Sequence, residues 1–206
     1  MKYSNNLFVL MGIDGSGKTF QTKRICDYLN SRKISSIRIK LSDIKIESKV
    51  NEEKCKKILQ RSGIDITEEL LTLLIEALIM RKKIEEYVFP ELDKGNIVIM
   101  DRYVESIFGK ASFILNGNAI VNEIFKDIYI PKKAYLLDLN PKIAIDRIQK
   151  RDNILENEQL LSKIQNYYLK NFKVHSFKLI NAEKTKDEIF NILKADIERF
   201  MEEKEK

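Results

Sequence analysis

The chain predicts an α/β fold, a parallel five-stranded sheet with helices on both faces, and three observations predict it. Short apolar runs alternate with stretches of helical spacing along the 206 residues. The first run, Leu7 to Met11, leads straight into Gly12-Ile13-Asp14-Gly15-Ser16-Gly17-Lys18-Thr19, which fits G-x-x-x-x-G-K-[ST]. The third run, Ile97 to Met100, ends in Asp101-Arg102-Tyr103, a carboxylate at the carboxyl end of a buried strand.

Each element follows from its local pattern. Ile25, Cys26, Tyr28 and Leu29 set the first helix after Lys18, and alternation over Ser36 to Leu41 sets the second strand. Asn51 to Arg61 reads as a helix that Gly63 ends. Thr67-Glu68-Glu69 opens a long helix to Phe89, polar between Leu70 and Met80 only at Thr72 and Glu76. Such a helix should be buried on two sides. Val104 to Leu115 predicts a helix, Asn116-Gly117-Asn118 a break, and a short helix precedes Pro131. Ala134 to Leu139 is the fourth strand, and Pro141 starts a helix at a favoured position. Glu158 to Phe172 reads as helix, Ser176 to Ile180 as the fifth strand, and Ile189, Leu193, Ile197 and Phe200 mark the last helix. The whole reads as one P-loop NTPase-type domain over 1–206 with a short lid near 147–157.

The glycine loop carries the chemistry. Glycines let backbone N–H groups turn inward around an anion, and the start of the helix adds unpaired donors and a positive dipole end. Lys18 can reach the β- and γ-phosphates, and the Thr19 hydroxyl can ligate Mg²⁺. Asp101 stands where an acid organises that ion in such folds, although a strand-end Asp can also simply cap a helix. Arg147, Lys150 and Arg151 share a helix face and could meet phosphates, or could be ordinary surface cations.

Composition bounds the alternatives. A net charge of +6 is spread through mixed-sign segments without a basic block, so nucleic acid is not the favoured partner. Cys26 and Cys55 stand alone, suggesting neither a disulfide framework nor a zinc site, and His175 is too solitary to be a catalytic base. No run approaches membrane-spanning length, and a cytoplasmic enzyme is expected.

Three ordered groups of residues carry a resemblance. The glycine loop is followed by Gln21. Arg81 is followed by Leu92, Gly95, Asp101-Arg102-Tyr103 and Ser106. Leu137-Asp138-Leu139-Asn140-Pro141 leads to Arg147 and Arg151. Over most of its length the chain thereby resembles the thymidylate kinase family. The resemblance implies transfer of the ATP γ-phosphate to dTMP, giving dTDP and ADP, with Mg²⁺ as cofactor. It implies ATP binding by Gly12 to Thr19 and Arg147, and catalysis by Lys18, Asp101, Arg102 and Arg151. Metal binding would fall to Thr19 and Asp101, and acceptor binding to Asp14, Arg81, Arg102 and Tyr103. Asp14 would meet the deoxyribose 3′-hydroxyl, Arg81 and Arg102 the monophosphate, and Tyr103 would disfavour ribose. Arg151, from the lid, would carry transition-state charge. A homodimer packed through the 67–89 helix is also implied.

The chain departs from the family's usual pattern in five places, one of them the short lid, where Asn153 stands for a second arginine. Met11 stands for a Glu, and Lys40-Leu41-Ser42 for Arg-Phe-Pro, with Lys45 a candidate substitute cation. Ala77 stands for a Phe that stacks on thymine, and Gly109-Lys110-Ala111 for Ala-Tyr-Gln. A kinase for another nucleotide or deoxynucleoside, or a non-catalytic nucleotide-binding regulator, therefore stays open as an alternative.

Overall fold

Residues along the central strand alternate between two helical layers, as the two-residue period of a strand requires. In β1 (Lys2–Met11), Leu7, Val9 and Met11 face one layer, while Phe8 and Leu10 face the other. The computed structural model describes residues 2–45, 51–152, 157–171 and 177–202. Its strands β2 (Ser36–Ile39), β3 (Ile97–Asp101), β4 (Tyr129–Asp138) and β5 (Lys178–Asn181) join β1 in one sheet, ordered β2-β3-β1-β4-β5. Every neighbouring pair is parallel, as predicted.

Parallel strands need crossovers, and the helices supply both covering layers. One layer holds α1 (Lys18–Ser31), α7 (Pro141–Asp152) and α9 (Lys186–Glu202), with Ile25, Leu29, Leu193 and Ile197 packed on Phe8, Leu10, Ile99 and Leu137. The other holds α3 (Glu68–Lys83), α5 (Glu105–Ala111), α6 (Gly117–Phe125) and α8 (Glu158–Asn171), with Leu73, Ala77, Ile107, Val121 and Tyr168 against Val9, Met11 and Met100. The helix α2 (Glu52–Arg61) packs beside α3 and begins at Asn51, whose side chain caps the Lys54 N–H at 2.8 Å.

Two elements differ from expectation. The long helix does not run unbroken to Phe89: α3 passes into a π-helical turn at Ile84–Val88, and α4 (Phe89–Asp93) follows. Pro90 lacks the N–H that would close an α-helical bond there, and a widened turn ahead of it absorbs the mismatch. The fourth strand begins earlier, at Tyr129, because Lys2 to Ser4 pair with Tyr129 to Pro131 before a register shift. The expected short helix before Pro131 is α6, which ends at Phe125.

The two-sided burial of α3 holds in part. Leu71, Leu73 and Ala77 are buried, while Leu78 is 50% exposed. Among the described residues no helix is long and apolar enough to cross a membrane. Cys26 and Cys55 are free thiols. His175 and the lid residues 153–156 lie outside the described residues.

Candidate active site

The loop after β1 folds as its glycines require. Gly15 (φ +80°) lies so close to α7 that a Cβ there would meet the Ala144 carbonyl oxygen at 2.7 Å. A side chain at Gly15 would push α7, which bears Arg147 and Arg151, away from the loop. Gly17 (φ +93°) precedes α1 with open space around it among the described residues, and α1 has neither a side-chain N-cap nor an acid in its first turn. The orphan N–H groups of that first turn are thus left for an anion.

Lys18 projects into this cradle and is 5% exposed. Its Nζ donates to the Ile13 carbonyl at 2.7 Å and to Ser16 Oγ at 3.4 Å, and lies 3.9 Å from Asp14. Burial, with the nearby Arg102 charge, pushes its pKa down to about 7. A buried ammonium this weakly compensated favours an arriving polyphosphate, which would restore its charge. Thr19 Oγ1 donates to Asp101 Oδ2, and Asp101 is buried at the end of β3. A hydroxyl and a carboxylate side by side beside a phosphate cradle fit Mg²⁺, which takes few protein ligands and completes its shell with water and phosphate oxygens.

Arg102 is the junction of the site. Its backbone is left-handed (φ +69°), a conformation that costs about 1–3 kcal/mol in a non-glycine residue. Its N–H donates to the Leu10 carbonyl at 3.0 Å, pinning the strained residue to β1. Its guanidinium donates to Asp14 Oδ1 at 2.6 Å, and its charge is near enough to act on the buried Tyr168 hydroxyl. Burial pushes the Asp14 carboxyl up, but the Arg102 and Lys18 charges outweigh it and hold the group below its usual range.

From this junction a cleft of about 570 Å³ opens between α3, α5 and α8. Asp14, Asp101, Arg102 and Ser106 line it, as do Lys40 and Lys83. Its size suits one nucleotide.

The structure brings together Gly12 to Thr19, Asp101 and Arg102 as the sequence predicts. Arg151 is exposed on α7, close enough for its charge to help lower the Asp14 pKa. Arg147 donates to the Ala182 carbonyl at 3.0 Å, which ties α7 to the end of β5.

Two expected acceptor residues are not brought to the cleft. Arg81 sits on the α6 side of α3, bonded to the Ile124 carbonyl and at 2.8 Å to Glu85. The helix turns Glu76, Met80 and Lys83 inward instead. Tyr103 is 1% exposed, and its hydroxyl donates to the Tyr129 carbonyl at 3.0 Å, so it is a core residue. Lys45 is exposed outside the cleft lining, and Lys40 and Lys83 supply the cations there. Glu76 and Lys110 also line the cleft; in the sequence Glu76 stood out only as a polar break in an apolar helix, and Lys110 only within the Gly109-Lys110-Ala111 departure.

Comparison with known proteins fits this geometry. The profile of the thymidylate kinase family matches residues 10–192. The chain belongs to the thymidylate kinase family. It is 28% identical to the thymidylate kinase of Thermosipho africanus over 203 residues, covering 93% of this chain and 96% of that one. It is 28% identical to the thymidylate kinase of Clostridium novyi over 198 residues, covering 90% and 94%. With the thymidylate kinase of Caldanaerobacter subterraneus it shares 30% identity over 173 residues, 77% of each chain. Membership in the thymidylate kinase family makes it a nucleotide-binding kinase of that general type. The match spans both the phosphate loop and the Asp101-Arg102 strand end.

Proposed function

We propose that this chain transfers the γ-phosphate of ATP to dTMP, giving dTDP and ADP. The observation that carries the reading is the contact of Asp14 with Arg102, which joins the phosphate loop to the cleft at one point. A donor triphosphate held by Lys18 and the loop N–H groups would present its terminal phosphate there. An acceptor phosphate would meet Arg102, with Lys40 and Lys83 as further cations. Transfer then needs positioned positive charge rather than covalent chemistry. Arg102 would stabilise the equatorial oxygens, and Arg151 on α7 is the second cation proposed for that role. Bound Mg²⁺, held by Thr19 and Asp101, would neutralise charge on the phosphate oxygens. Asp14, kept ionised, can accept a hydrogen bond from the acceptor's sugar hydroxyl.

We also propose a homodimer through the 67–89 helix and a cytoplasmic location, with neither nucleic acid nor membrane as partner. Leu78, half exposed on an apolar helix, supports the dimer. The test of the reaction is ADP formation from ATP and Mg²⁺ with dTMP, dUMP, UMP, CMP, dGMP, AMP and thymidine offered separately. A strong preference for dTMP is expected. Preference for another acceptor moves the substrate, and ATP binding without turnover of any acceptor replaces the reading with a regulatory one.

A further inference from the structure

The cleft is charged at both ends and apolar between them. Asp14 and Arg102 stand at the phosphate-loop end, and Ile79, Met80 and Ile107 line the middle. At the far end Lys110 Nζ donates to both carboxylate oxygens of Glu76, at 2.8 and 2.7 Å. Both residues also border a second hollow between α3 and α5, so the pair forms the end wall of the cleft. Glu76 is the one charged residue between Leu70 and Met80. The pair keeps 38% and 58% of its side-chain surface exposed, for Glu76 and Lys110 respectively. An ion pair that open contributes little to stability and stays within reach of a ligand.

We propose that the Glu76–Lys110 pair reads the base of the acceptor nucleotide, selecting keto bases over amino bases. The proposal rests on the reading of this cleft as the acceptor site. A nucleotide with its phosphate on Arg102 lays its ring along the apolar walls and brings its base edge to the pair. A keto base offers a carbonyl oxygen beside a ring N–H. Lys110 donates to the oxygen, and the Glu76 carboxylate accepts from the N–H. Thymine, uracil and guanine share that edge. An amino base reverses it, setting its amine against the ammonium and its ring-nitrogen lone pair against the carboxylate. A site built on hydrogen bonds rejects such a mismatch more strongly than an apolar slot rejects a change of size. The pair thus supplies selection at a site where Ala77 is buried and no ring at that position reaches the cleft.

The test is calorimetric affinity of the full chain for dTMP, dUMP, dGMP, dCMP and dAMP, in the wild type, in the charge-swapped double variant Glu76→Lys/Lys110→Glu, and in Lys110→Met. The swap keeps an ion pair and reverses its polarity, and circular dichroism checks its fold. Wild type should bind the keto nucleotides more tightly. The swap should lower the dTMP-to-dCMP affinity ratio by at least roughly tenfold, and Lys110→Met should lower it in the same direction. A folded swap with the wild-type ratio overturns the proposal, as does a wild type that prefers amino bases. If the swap does not fold, Lys110→Met decides, and an unchanged ratio there overturns it. A wild type that prefers dGMP or dUMP, with a ratio that the swap moves, upholds the pair while removing dTMP. A wild type that prefers dTMP with an unmoved ratio does the reverse.

Discussion

Arg102 reaches across from the end of β3 to Asp14 in the phosphate loop, at 2.6 Å. The contact locks the two halves of the site to each other, and the left-handed backbone of Arg102 aims its side chain there. Arg102→Ala should lower kcat/KM for the acceptor by roughly 10²–10³. Arg102→Lys should recover only part of that loss, because an ammonium cannot bond Asp14 and a phosphate in one plane. In a double-mutant cycle with Asp14→Ala, steady-state kinetics should give a coupling of about 1–3 kcal/mol. Additive losses would show that the two groups act independently.

On the proposed reading, Lys18 ties nucleotide binding to protons. Its pKa is about 7 in the free protein, so at pH 8 the amine is mostly neutral. A polyphosphate beside it raises the pKa again, so binding at pH 8 should take up close to one proton. Calorimetry in buffers of different ionisation enthalpy measures this, and Lys18→Met should abolish it. The same depressed pKa means that the unfolded state holds more protons between pH 7 and about 10.5, so this group's contribution to stability rises with pH across that window.

Glu105 produces the opposite slope in a lower window. It is 5% exposed, with Oε2 lacking a hydrogen-bond partner among the described residues, and burial pushes its pKa up to about 7. Tyr103, Tyr167 and Tyr168 are near enough for its charge to raise their own pKa values. The folded state therefore holds the proton more firmly than the unfolded chain. This stabilisation is complete below the ordinary carboxyl pKa of 4.5 and is lost as pH rises through about 7. Urea unfolding of Glu105→Gln should show a gain over wild type that grows to about 3 kcal/mol between pH 5 and pH 8. A constant difference across that range would mean that Glu105 is ionised in the fold.

Arg151 stands on the helix that Gly15 supports, with its charge felt at Asp14. Arg151→Ala should reduce kcat by roughly 10³ while leaving the affinity for ATP nearly unchanged. Single-turnover kinetics separates the two, and an unaltered kcat would assign the transition-state charge to Arg102 alone.

The sheet was legible because each buried strand is a short apolar run, and the phosphate loop because its glycines and Lys18 lie contiguous in sequence. Asp101 and Arg102 were legible because they stand at the end of a strand, and Thr19 because it closes the contiguous phosphate-loop motif. The acceptor side was less so. Whether Arg81 or Lys83 enters the cleft depends on the rotation of α3 about its axis. That rotation is set by packing on α5 and α6, which spacing from Arg81 to Asp101 does not encode. Tyr103 directly follows Asp101 and Arg102 in sequence yet turns into the core, where Tyr129 offers a carbonyl. The Glu76–Lys110 contact joins residues 34 positions apart on two helices, and only the fold brings them together.

The most direct measurement follows the terminal phosphate itself. ATP labelled at its γ-phosphate is incubated with the protein, Mg²⁺ and dTMP, and the products are separated. Label in dTDP, lost in Lys18→Met and strongly reduced in Arg102→Ala, is the predicted result. Label released as inorganic phosphate whether or not dTMP is present, or retained in bound ATP, would contradict transfer between the loop and the cleft.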